Sequence, residues 1–132
     1  MNMDNSEAEK VNTINAPAAV GPYSQAVKFG SLVFCSGQIG INPETGELVE
    51  GGVVGEAKQV LKNLEAVLVA SGSNINKVLQ TTIYIIDMNK YPDVNAAYAE
   101  TFKTDPLPAR ATVEVSNLPK DANIEISCIA YI

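Results

Sequence analysis

The 132-residue chain has 9 basic and 15 acidic residues, a net charge of −6, and no histidine. Without imidazole there is no Ser-His-Asp or Cys-His machinery, and two dispersed cysteines cannot complete a thiolate zinc site, so no metal or other cofactor is expected. The acidic balance repels polyanions, which sets nucleic acid aside as a partner, and no apolar run is long enough to span a bilayer.

The first ten residues are polar and acidic, unlike a secretory leader or an Arg-rich transit peptide. Residues 1–10 are therefore expected to be a disordered tail, residues 11–132 a single domain, and the cytoplasm the compartment. Residues 11–15 can form a short edge strand before Ala16-Pro17 stops it. After the Gly21-Pro22 turn come two strand-like runs, 23–29 and 32–36. Gly30-Ser31 links them as a tight hairpin, with the glycine supplying positive φ. Residues 37–52 hold five glycines and Asn42-Pro43, which is loop chemistry, and lack the spacing of a phosphate loop.

From residue 54 to 70, Ala57, Val60, Leu61, Leu64, Val67 and Leu68 recur at three- and four-residue intervals. Glu56, Lys58, Lys62 and Glu65 stand elsewhere on the wheel, so an amphipathic helix is predicted, closed by Ser71-Gly72. Residues 77–87 read as a strand apolar on both sides, with Val78, Tyr84 and Ile86 opposite Leu79, Ile83 and Ile85. A second helix starts near Pro92, buries Val94, Ala97, Tyr98 and Thr101 or Phe102, and ends before Pro106. Strands 110–116 and 123–132 finish the chain. The order β-β-β-α-β-α-β-β predicts an α+β fold, a mixed sheet with two helices on one face. Its other face is left bare and apolar, which argues for self-association.

Chemistry centres on two residues. In Leu107–Val115, small or β-branched apolar residues alternate with Arg110, Thr112 and Glu114, so one side is expected to be core while the other carries a planar guanidinium suited to a carboxylate. The same parity in the last strand sets Glu125 opposite Ile124, Ile126, Cys128 and Ala130, on the side assigned to Arg110. A cation for an anionic substrate and a carboxylate able to hold water make a minimal hydrolytic pair. A solvated or structural ion pair is the plainer reading of the same residues. Cys35 and Cys128 sit in apolar strands and read as buried free thiols, with no basic partner near Cys35 in sequence to make it a nucleophile.

The ordered blocks Asn15-Ala16-Pro17, Gly21-Pro22-Tyr23-Ser24-Gln25, Ser36-Gly37-Gln38-Ile39, Val94-Asn95-Ala96, Pro108-Ala109-Arg110, Leu118-Pro119-Lys120-Asp121 and Ile124-Glu125-Ile126 resemble the RidA (YjgF/YER057c/UK114) family from about residue 12 onward. The resemblance implies a chorismate-mutase-like homotrimer with ligand clefts between subunits. It also implies hydrolysis of 2-iminobutanoate and 2-iminopropanoate to 2-oxo acids and ammonia. By that resemblance Arg110 binds the substrate carboxylate and Glu125 positions water, while Tyr23, Ser36, Gly37, Asn95 and Thr112 join the substrate-binding set. Many members have cysteine where this chain has Thr112, which leaves substrate preference open. Two other readings stand beside it: a regulatory module that binds small carboxylates, and the ribonuclease or translation-inhibitor activity attached to the family, which an acidic, histidine-free chain supports poorly.

Overall fold

The computed structural model describes residues 7–132. Six strands and two helices follow the predicted order: β1 (Glu9–Val11), β2 (Ala26–Phe29), β3 (Leu32–Ile39), α1 (Gly52–Ala70), β4 (Val78–Ile85), α2 (Tyr91–Thr101), β5 (Ala109–Glu114) and β6 (Ile124–Tyr131). They form one sheet in the spatial order β1-β2-β3-β6-β4-β5, in which only β4 and β5 pair in parallel. The first strand corrects the expected boundary. Glu9 and Lys10 pair with Lys28 and Val27, so part of the segment read as tail belongs to the sheet, and residues 12–15 lie outside the strand. The rest of that tail, residues 1–6, lies outside the described residues.

The predicted helix stripe is the centre of the core. Ala57, Val60, Leu61, Leu64, Val67 and Leu68 are all buried against the sheet. Each such aliphatic side chain contributes about 1.5–3 kcal/mol over leaving it in water. The helix closes where expected: Gly72 takes φ 87° and donates to Val69 O, and Ser73 N donates to Leu68 O, which satisfies carbonyls of the last turn. In α2, Val94, Ala97 and Tyr98 are buried, followed by Phe102. Gly30 turns the β2–β3 hairpin at φ 60°.

Both helices cover one face of the sheet. Ala26, Val33, Cys35, Ile83, Ile85, Ile124, Ile126, Cys128 and Ala130 point into that layer and are buried. The other face carries Phe34, Tyr131 and Val113, each about two-fifths exposed, with Val27, Ile129 and Tyr84 between them.

Two strands depart from simple alternation. The register of β4 steps from Val78↔Ala130 to Gln80↔Ile129, so β4 spends one extra residue there. That bulge returns Val78 to the helix side with Thr81, Ile83 and Ile85 and leaves Leu79 exposed, which corrects the grouping of Val78 with Tyr84.

In β5 the expected core side is the exposed one. Residues paired across a sheet share a face, and Arg110 pairs with Thr81 while Thr112 pairs with Ile83, both buried beneath the helices. Ala109, Ala111 and Val113 therefore face out.

Candidate functional site

Glu125 stands on the open face. Its partners in register are Tyr84 and Ile39, whereas Arg110 pairs with Thr81 on the helix side. The expectation that Glu125 and Arg110 share one side is thus overturned within a single chain. Alternation along a strand states which residues go together, but not which set meets the helices. The two residues anchor separate clusters.

The Glu125 cluster is shaped by a bulge in β3. Cys35 pairs with Cys128 but Gln38 with Ile126, so Ser36 and Gly37 together span one residue of β6. This corrects the placing of Ser36 at a strand end. Ser36 Oγ donates to Ser24 O at 2.5 Å and Ser36 N to Gln25 O at 3.0 Å, which ties the bulge to the segment before β2. The Glu125 side chain lies across Gly37: a β-carbon there would sit 2.8 Å from Glu125 Cδ and closer still to Oε2. Only glycine leaves that space.

Around them opens a cleft of about 550 Å³, lined by Pro17, Val20, Tyr23, Ile39, Ile41, Pro43, Pro119 and Lys120 as well as Ser36, Gly37 and Glu125. Tyr23 lies in the loop before β2 rather than in the strand, with its ring half exposed. Burial raises the pKa of the Glu125 carboxyl above the ordinary glutamate value. A carboxylate with raised proton affinity, set in a largely apolar cleft, is a competent general base.

The second cluster lies between β5 and α2. Arg110 Nη2 donates to Tyr91 Oη at 2.8 Å, and the guanidinium lies 4.9 Å from the Tyr98 ring centre and 5.6 Å from that of Tyr91. Tyr98 is fixed in turn by a 2.8 Å hydrogen bond with Thr81. Its hydroxyl is held above the usual tyrosine range, mainly by burial, against the opposing pull of Thr81 and Arg110. Arg110 thus has aromatic faces and one phenol as neighbours, a setting that orients the fork without neutralising it. Thr112 shares its side of β5.

Asn95 sits one turn inside α2, and its Oδ1, like Thr112 Oγ1, is buried without a hydrogen-bond partner among the described residues. Buried polar atoms in that condition are uncommon and mark places where a further group can bind. Glu114 is engaged locally, accepting from Met88 N at 2.7 Å.

The structure therefore brings Tyr23, Ser36, Gly37 and Glu125 together, and does not bring Arg110 to them. Three residues had no place in the sequence reading of the site. Lys120 lines the Glu125 cleft from a left-handed turn with φ 57°. Buried Gln25 braces the cleft wall, its amide donating to Pro17 O at 2.8 Å and accepting from Thr13 N at 2.7 Å. Tyr91 holds Arg110. The first two lie inside quoted motif blocks, which was the available signal; nothing in sequence pairs Tyr91 with Arg110. Cys35 and Cys128 are buried free thiols facing each other across β3 and β6, and their contact, with burial, raises the pKa of Cys128, so it stays protonated. A second hollow of about 400 Å³ at the start of α1 holds none of the predicted residues.

The family model described as Endoribonuclease L-PSP, the YjgF/RidA family, matches residues 13–132. The chain belongs to the RidA family. Among its RidA relatives is a mouse protein named 2-iminobutanoate/2-iminopropanoate deaminase, 48% identical over 91% of this chain and 88% of that one. A crystal structure of YyfA, of the conserved Rid family from Yersinia pestis, superposes with a TM-score of 0.92 at 48% identity, covering 96% of this chain and all of that one. TdcF of E. coli, solved with bound serine, gives 0.87 at 38% identity over 94% of this chain and 98% of that one. The expected α+β architecture is thus the RidA fold. No helix among the described residues is long and apolar enough to cross a membrane.

Proposed function

We propose that the protein hydrolyses reactive 2-imino acids, 2-iminobutanoate and 2-iminopropanoate, to 2-oxo acids and ammonia, in sites formed between copies of a homotrimer. The observation that carries this reading is the separation of Glu125 and Arg110 on opposite faces of one sheet. Each is arranged for a task that needs the other, and a second copy supplies it. In a cyclic oligomer with heterologous interfaces, one surface of each chain meets a different surface of the next.

In that site Arg110 takes the substrate carboxylate as a fork. The protonated imine carbon is then attacked by a water whose proton passes to Glu125. Glu125 then gives that proton to the nitrogen of the tetrahedral adduct and takes the proton of its hydroxyl as the C=O forms and the C–N bond breaks, so that the new 2-oxo acid is left and ammonia departs with the remaining proton as ammonium. No redox or metal step is involved, so the cofactor-free expectation fits the chemistry. The name of the mouse relative supports the substrate class, and the serine-bound TdcF structure supports a small amino-acid-like ligand.

The test is to add the purified protein to a reaction that releases 2-iminobutanoate and to follow 2-oxobutanoate formation, with semicarbazide trapping the imine. The rate should rise with added protein. Ligand binding with no acceleration would replace the enzyme by a carboxylate-sensing module. The ribonuclease named in the family description calls for RNA binding that weakens steeply with salt; at a net charge of −6, negligible retention in a filter-binding titration is expected.

A further inference from the structure

The polar residues buried on α1 lie outside the cleft, yet they grip both strands that build it. Glu56 is 2% exposed, an unusual place for a carboxylate with no cation beside it among the described residues. Its Oε1 accepts from Asn123 N at 2.7 Å and its Oε2 from Asn123 Nδ2 at 2.5 Å. Asn123 stands at the head of β6, two residues before Glu125. Two turns further along the same face, Asn63 is 1% exposed and donates through Nδ2 to Ile39 O and Ile41 O, at 3.1 and 2.9 Å, while Gln59 donates to its Oδ1 at 2.9 Å. Ile39 ends β3 just past the Ser36-Gly37 bulge, and Ile41 lies two residues beyond it. Gly40 lets the strand meet the helix directly, since a β-carbon there would come within 2.8 Å of Glu56 Cα.

Apolar burial of Ile124 and Ile126 decides which face of β6 goes inward, but it is non-directional and does not set the strand's position along its axis. Paired, directional hydrogen bonds from a charged acceptor do. We propose that Glu56 is a positioning residue for the reaction. By clamping Asn123, it fixes the start of β6 and with it the placement of Glu125 over Gly37, while Asn63 fixes the β3 side of the same cleft. This inference rests on the imine-hydrolysis reading. The substrate never touches Glu56, so its effect falls on turnover rather than binding.

The experiment exchanges donor and acceptor across the contact in the full-length oligomer. Asn123→Asp sets two buried carboxylates against each other and should lower kcat by about a hundredfold, the effect of moving a catalytic group by roughly an ångström, with little change in KM. Asn123→Leu removes the side-chain donor without adding charge and should lower kcat in the same direction by a smaller factor. The double variant Glu56→Gln/Asn123→Asp restores the side-chain contact with its polarity reversed, leaves the backbone N–H at position 123 an amide oxygen to donate to, and keeps one negative charge. Its kcat should return to near the wild-type value.

A contact that serves stability alone would lower the melting temperature of both single variants and leave kcat per folded molecule unchanged, which overturns the proposal. A double variant no more active than Asn123→Asp also overturns it. Should Asn123→Asp fail to fold, Asn123→Leu and the double variant decide between the same outcomes. A wild type that does not accelerate imine hydrolysis removes the parent reading and this inference together, whereas an active wild type with unaffected Asn123 variants removes the inference alone.

Discussion

On the open face of the sheet Glu125 is held by shape. A bulge in β3 and the bare Cα of Gly37 make room for its carboxylate, the walls are apolar, and burial raises its proton affinity. On the helix-covered face Arg110 is held by contacts, with two tyrosine rings and a phenolic hydroxyl fixing its fork. On the proposed reading the first region moves a proton and the second fixes an anion. Neither contains the other's group. The difference teaches that, on that reading, one chain carries two half-sites, and that its activity should depend on association as much as on either residue.

Four changes separate the halves, beginning with the largest expected effect. Glu125→Gln keeps the shape of the open-face region but removes its base, so kcat for imine hydrolysis should fall about 10²–10⁴-fold with KM little altered. Gly37→Ala leaves every functional group in place and pushes the Glu125 carboxylate aside. About a hundredfold loss in kcat is expected from steady-state kinetics, with circular dichroism unchanged, because the clash falls on the end of a flexible side chain. Arg110→Ala acts on the other half. It removes charge-assisted hydrogen bonds of about 1.5–3 kcal/mol, or about one to two decades in kcat/KM, and the loss should show as weaker binding of 2-oxobutanoate in calorimetry.

The smallest effect is a matter of pH, and its two signs differ. Turnover needs the Glu125 carboxylate ionised, so kcat should fall with falling pH along a limb above the ordinary glutamate value of 4.5, and Glu125→Gln should lack that limb. Stability runs the other way. The folded carboxyl binds its proton more tightly than the unfolded one, so its contribution is complete below the unfolded value and is lost as pH rises through the raised one. Thermal melts across that interval should show wild type losing ground to Glu125→Gln with increasing pH.

Much of the fold was legible because its signals are local. The stripe from Ala57 to Leu68 has the period of a helix with one buried face, and Gly30 and Gly72 stand where the backbone needs positive φ. The site was legible in part. Tyr23, Ser36, Gly37 and Glu125 meet in one cleft, but the bulges at Ser36-Gly37 and Leu79 were hidden, since one extra residue leaves composition untouched and inverts the alternation. The apolar side of β5 misled for another reason. Ala109, Ala111 and Val113 look like core, yet the surface able to cover them is absent from a single chain. Glu56 stands off the apolar stripe of α1, and its burial was not legible in sequence because its partner, Asn123, lies 67 residues away.

The central claim, that Glu125 of one copy works with Arg110 of another, is tested most directly by mixing two impaired proteins. Arg110→Ala and Glu125→Gln oligomers, unfolded together in equal amounts and refolded, should regain about a quarter of wild-type activity, since about one interface in four then joins an intact arginine to an intact glutamate. Each variant refolded alone should stay at its own reduced level. Mixed oligomers that form, as shown by native mass spectrometry, yet stay as impaired as their parents would contradict the account.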